Sequence, residues 1–70
     1  MTGWEDVRAE VLRRIRAREW VPGAVIPGEE ALAVEFGVAR ATVNRALRDL
    51  AESGLLERRR KAGTRVAVLP

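Results

Sequence analysis

Three residues, Gly37-Val38-Ala39, separate two stretches that both repeat apolar residues at helical spacing, and this short junction constrains the fold more than any other feature of the chain. Upstream of it, Leu32, Ala33 and Phe36 mark the inward face of a helix predicted over residues 29–35. Glu29 and Glu30 fall in its first turn, where the positive end of the helix dipole favours acids. Gly37 is placed to end that helix in the left-handed conformation. Downstream, Val43, Ala46, Leu47, Leu50 and Ala51 form a narrow stripe on a helix predicted over residues 40–53, with Gly54 as its stop. Ala39 stands at its N-cap, where Ser or Thr is preferred, so the cap is weak. Two helices joined this tightly make a helix-turn-helix unit.

The flanking segments extend the pattern. Thr2 and Glu5 have the spacing of a capping box, and Trp4, Val7, Val11, Leu12 and Ile15 recur on one face of a helix predicted over residues 3–18. Pro22-Gly23 is a turn, Ala24-Val25-Ile26 a brief strand, and Pro27-Gly28 a second break. After Gly54, Leu55 to Arg58 and Thr64 to Val68 read as two strands, with Val66 and Val68 alternating against polar or small residues. Lys61, Ala62 and Gly63 form the turn between them, with Gly63 able to take a positive φ, so residues 55–68 are predicted to form a hairpin with a basic tip. The order helix, short strand, helix, helix, strand, strand is that of a winged helix-turn-helix: a mainly α fold with a small β-hairpin, in one domain spanning residues 1–70.

Composition narrows the function. The chain has no Cys, no His and no Tyr, which excludes disulfides and thiolate metal sites and removes the commonest metal ligand and general base. No catalytic, cofactor-binding or metal-binding residue is expected, and the chain is not expected to be an enzyme. Glu29, Glu30 and Glu35 do not amount to an acid-base cluster, because Glu29 and Glu35 do not share a helical face. No apolar run approaches the roughly 18 residues of a membrane span, and Glu5 and Asp6 near Met1 do not fit a signal peptide. A cytoplasmic, nucleoid-associated location is the expectation.

The net charge of +3 is unevenly distributed, from −3 over residues 29–38 to +4 over residues 55–70. A basic C-terminal patch suits a polyanion such as DNA. On the 40–53 helix, the face opposite the buried stripe presents Ala41, Arg45, Arg48 and Glu52, flanked by Arg40 and Asn44 on one side and by Thr42 and Asp49 on the other. Arg can pair with guanine O6 and N7, Asn with adenine N6 and N7, and the methyl groups of Ala41 and Thr42 can meet a thymine methyl. The run Arg58-Arg59-Arg60-Lys61, with Arg65 beyond the turn, equips the hairpin to hold phosphates or enter the minor groove, although strand alternation splits these charges between two faces. Trp4 and Trp20 read as core or interface anchors, with Trp20 paired to the first helix.

The residues Pro22-Gly23, Ile26-Pro27-Gly28-Glu29, Leu32-Ala33, Phe36-Gly37-Val38-Ala39-Arg40, Thr42-Val43, Ala46-Leu47, Leu50, Gly54-Leu55-Leu56 and Gly63-Thr64-Arg65-Val66, in this order, closely resemble the N-terminal DNA-binding domain of GntR-type bacterial transcription regulators. The resemblance runs from about Val11 to Ala67. It implies sequence-specific binding of double-stranded DNA, with the 40–53 helix in the major groove and the wing on the backbone or in the minor groove, and it implies a regulator that is usually a repressor. The implied DNA-binding residues are Arg40, Ala41, Thr42, Asn44, Arg45, Arg48 and Glu30, with Arg59, Arg60, Lys61, Gly63 and Thr64 in the wing. Departures are specific: Gly28 and Ala39 replace serine caps, Glu30 and Asn44 replace arginines, and Arg65 replaces an aromatic. These departures point to an altered base preference.

Members of the family typically add a C-terminal domain that binds a small-molecule effector and forms a homodimer on a palindromic operator. The chain is either a fragment of such a regulator or a stand-alone protein that dimerises through its own apolar surface around Trp4. A winged-helix module for protein interaction or dimerisation is the alternative function, supported by Glu29, Glu30 and the missing arginines.

Overall fold

Apolar residues at a 3.6-residue period bury one face of a helix only when a second apolar face meets it, and here one helix serves both of the others. The computed structural model describes residues 3–59 and 63–68. It contains α1 (Trp4–Arg16), α2 (Glu29–Phe36), α3 (Arg40–Glu52), β1 (Leu56–Arg59) and β2 (Gly63–Val66). The central element is α3, which packs against α1, α2 and β1. Val7 and Val11 of α1, Leu32 of α2 and Val43, Leu47 and Leu50 of α3 are fully buried. Burial of each such side chain contributes about 1.5–3 kcal/mol. Ile26, Leu56 and Val66 close the core beneath the hairpin.

The three-residue junction works through Gly37, whose φ of 67° and ψ of 36° end α2 in the left-handed region while Val38 N–H returns to the Ala33 carbonyl. The chain re-enters a helix at Arg40 with Ala39 extended at the N-cap and no side-chain cap. At the other end of α3, Leu55 N–H bonds the Leu50 carbonyl at 2.9 Å across Gly54, whose φ is 82°.

Four boundaries differ from the sequence expectation. Gly3 takes the α1 N-cap without a side-chain cap bond; Thr2 lies outside the described residues. The helix stops at Arg16, because Arg18 adopts a left-handed φ of 63° and Glu19 N–H turns back to the Arg14 carbonyl. The strand expected at Ala24-Val25-Ile26 is a single antiparallel bridge, Val25 to Arg65, bracketed by Ile26 N–H to the Thr64 carbonyl and Val66 N–H to the Ala24 carbonyl. The hairpin strands are Leu56–Arg59 and Gly63–Val66, in the register Leu56 to Val66 and Arg59 to Gly63. Val68 therefore lies past the strand end and is exposed, although Val66 is buried as the alternation requires.

Ion pairs reinforce the outside of α1. Arg14 donates to Glu10 and Glu35, and its guanidinium lies 5.2 Å from the Trp20 ring centroid and 5.1 Å from that of Phe36. The expected pairing of Trp20 with α1 is thus made, with Trp20 N–H also reaching the Arg14 carbonyl.

Candidate nucleic-acid interface

The face of α3 turned away from the core carries the exposed residues Ala41, Arg45, Arg48 and Glu52, with Arg40 exposed beside them at the first turn. Thr42 and Asn44 are half-buried at its edges. Among the described residues, Arg40 and Arg48 make no ion pair, so their guanidinium donors are available to an incoming anion or base edge.

Each edge of this face is fastened to a neighbouring element. On the α1 side, Asp49 accepts from Arg8 Nε, and Arg45 lies over the Trp4 ring with its guanidinium carbon 4.5 Å from the centroid. On the opposite side stands Glu29, the first residue of α2. A single oxygen of its carboxylate, Oε2, accepts from Asn44 Nδ2 at 2.5 Å and from Arg58 Nη2 at 2.7 Å. Glu29 therefore ties α2, α3 and β1 together where they converge.

Glu29 also borders both concave surfaces on this side of the molecule. A shallow one of about 370 Å³ is shared with Arg40, Ala41 and Asn44. A deeper cleft of about 650 Å³ runs between Gly28 at the start of α2 and Arg58, Arg59, Gly63 and Thr64 of the hairpin. Together they make a path from the first turn of α3 to the wing, walled by arginines, with a carboxylate between them, one oxygen of which already accepts from two donors.

The hairpin distributes its charge as strand alternation dictates. Arg58 sits opposite Thr64, on the side of the buried Leu56 and Val66 pair, and reaches Glu29. Arg59 points to the other face, where its Nη2 is 3.4 Å from Glu57 Oε1. Arg65 faces the same way, and its Nε is buried without a hydrogen-bond partner among the described residues. Gly63 has a φ of 79°, the positive value expected for it. Arg60 and Lys61 of the expected basic tip lie outside the described residues.

Of the residues singled out from sequence, the structure brings Arg40, Ala41, Asn44, Gly63 and Thr64 to this path, keeps Arg48 on the exposed face, and turns Arg45 towards α1. Glu30 is exposed and pairs with neither Arg40 nor any other described residue, whereas its neighbour Glu29 holds Asn44 and Arg58. Glu29 was not among the expected site residues, and Arg58 was expected only as one of the wing cations, without this partner. Their partners lie 15 and 29 positions from Glu29 in the chain, beyond any local periodicity, and no short motif carries that signal.

A family description, bacterial regulatory proteins of the gntR family, matches residues 4–66, nearly the whole chain. The chain belongs to the gntR family. Among relatives of this gntR-family chain, the histidine utilization repressor of Klebsiella aerogenes is 42% identical over 64 residues, covering 91% of the chain and 27% of the relative. The mannosyl-D-glycerate transport/metabolism system repressor MngR of Escherichia coli is 40% identical over 63 residues, covering 90% of the chain and 26% of the relative. The chain thus spans about a quarter of the length of these curated relatives. The crystal structure of the AraR DNA-binding domain in complex with operator ORR3 superposes with a TM-score of 0.89 at 36% identity, covering 91% of the chain and 77% of the solved chain. The fold of this gntR-family chain is accordingly the winged helix-turn-helix. Among the described residues no helix is long and apolar enough to cross a membrane.

Proposed function

We propose that the chain is the sequence-specific DNA-binding unit of a transcription regulator, acting as a repressor in the cytoplasm at the nucleoid, with no catalytic activity of its own. The observation that carries this reading is the exposed face of α3, where Arg40 and Arg48 are unpaired among the described residues while Asn44 and Arg58 are held in place beside them by Glu29. The likeness to a DNA-binding domain solved in complex with its operator supports DNA binding, and the second helix of a helix-turn-helix unit is the one that enters the major groove.

In this arrangement Arg40, Ala41, Thr42 and Asn44, in the first two turns, face base edges. Arg48 lies further along the same groove. Glu29 takes one N–H of the Asn44 amide and leaves the other N–H and the carbonyl oxygen, the donor and acceptor that adenine N7 and N6 require. The wing residues Arg59, Arg60, Lys61, Gly63 and Thr64 lie along the backbone or minor groove, and Glu30, a carboxylate without a partner among the described residues, acts against phosphate or accepts from a cytosine amino group. Two copies on a palindromic operator, with an effector response only where a further domain accompanies the chain, complete the reading.

Selection of bound duplexes from a random DNA pool tests it. The expected outcome is a defined half-site, with spacing near one helical turn if two copies bind together. Binding to the selected duplex should weaken steeply as salt rises, because neutralised phosphates release counterions. A chain that selects no sequence and binds a protein partner with little salt dependence would be an interaction module instead, the reading that the exposed, unpaired Glu30 favours.

A further inference from the structure

Sequence places Arg45 on the base-reading face of α3, but its surroundings give it a different task. Its exposed side chain lies over Trp4, 4.5 Å from the ring centroid, and Trp4 is itself half-buried against the core as the first residue of α1. The indole is therefore a fixed platform. One turn further along the same flank, Asp49 is bound to Arg8 of α1, so this whole edge of α3 is drawn towards α1.

The dimensions of the groove turn that placement into a role. A helix about 10–12 Å across fills a major groove about 12 Å wide. Side chains that leave the exposed midline of the helix then meet the phosphate walls in place of the base edges. A guanidinium stacked by its face on an indole keeps its edge N–H donors free for phosphate oxygens, which match its fork geometry. No carboxylate pairs with Arg45 among the described residues, so its charge is not neutralised within the chain.

We propose that Arg45, held on Trp4, is a phosphate-binding residue at the α1 side of the groove, and that Trp4 is its positioning residue. This rests on α3 being the helix in the major groove. It assigns base discrimination to Arg40, Asn44 and Arg48, and gives Arg45 affinity without sequence preference.

The test compares the chain with Arg45→Ala, Trp4→Phe and Trp4→Leu, by selection from a random duplex pool and by salt titration on the duplex the unmodified chain selects. Arg45→Ala should keep the same base preference at every position, bind that duplex about tenfold more weakly, and show a salt slope shallower by about 0.9, the loss of one phosphate contact. Trp4→Phe keeps a ring and should fall between the two. Trp4→Leu should lose affinity as Arg45→Ala does, without a change in preferred sequence. A shift of base preference in Arg45→Ala, or an unchanged salt slope, overturns the proposal while leaving DNA binding intact. Binding of a folded Trp4→Leu chain as tight as that of the unmodified one removes the role of Trp4. If circular dichroism finds Trp4→Leu unfolded, Arg45→Ala and Trp4→Phe decide. An unmodified chain that selects no sequence defeats the DNA-binding reading itself, a result distinct from all of these.

Discussion

On its α1 side, α3 is held by separate pairs: Asp49 to Arg8, and Arg45 on Trp4. On its other side, one carboxylate oxygen of Glu29 serves Asn44 of α3 and Arg58 of β1 together. The first edge is a row of independent contacts, so losing one leaves the next. The second is a junction, where one substitution releases two side chains, one on the recognition helix and one on the wing. The same apolar stripe lies beneath both edges. The difference therefore concerns how side chains are aimed, with little bearing on how the helix is kept in the fold.

The largest effect should come from removing what the two edges share. Leu47 is fully buried in the middle of α3, and Leu47→Ala should cost about 2–5 kcal/mol of unfolding free energy in a denaturant titration. A loss under about 1 kcal/mol would mean that the edges, and not the core, hold α3.

Next, Glu29→Ala should reduce discrimination between the selected operator and a scrambled duplex by about 1–3 kcal/mol, with sequence-independent binding unchanged or tighter as a carboxylate is removed. A double-mutant cycle sharpens the contrast between edges. Glu29→Ala and Asn44→Ala should couple, whereas Glu29→Ala and Arg45→Ala should add, since they share no partner.

On the α1 edge, Asp49→Ala removes a pair whose side chains are 31% and 42% exposed, and solvent screening keeps its expected cost below about 1 kcal/mol, with base preference unmoved. Equal damage to discrimination from Asp49→Ala and Glu29→Ala would erase the distinction drawn here.

The smallest effect belongs to pH. Side-chain hydrogen bonds from Arg13 and Arg14 hold the Glu10 carboxyl down from 4.5 to about 2. A folded-state value below the unfolded one means that the stabilisation is complete above about pH 4.5 and is lost as pH falls through about 2. Thermal melts across that window should fall for the unmodified chain and fall less for Glu10→Gln. Operator discrimination measured at neutral pH should be the same for both, because Glu10 bonds Arg13 and Arg14 of its own helix and, among the described residues, shares no partner with Glu29.

Much of this architecture was legible in local pattern. The stripe Val43, Ala46, Leu47 and Leu50 announced both the existence of α3 and its buried face, and Gly37 and Gly54 marked where helices end, because only a residue without a Cβ turns left-handed at little cost. Ends without such a residue were less readable. Arg18 takes a left-handed turn that nothing in its side chain foretells, and the hairpin strands begin and end one or two residues from their expected bounds because these are set by pairing across the turn and by the packing of Leu56 and Val66. At the interface, Arg40, Asn44 and Arg48 could be named from the helical wheel, since the face opposite a buried stripe must be exposed.

The junction at Glu29 and the stack of Arg45 on Trp4 could not. Periodicity is a property of one helix, and it determines which residues are covered and which are presented. The partners of Glu29 are 15 and 29 residues away, and Trp4 meets Arg45 only after α1 has docked on α3. The sequence by itself thus determined the elements, their buried faces and the identity of the tight helix-turn-helix junction, because those follow from backbone geometry and apolar burial. Tertiary structure alone decided which of two adjacent glutamates is engaged by two donors and which arginine leaves the midline of the recognition helix, because those outcomes depend on angles and distances between elements that no local rule contains.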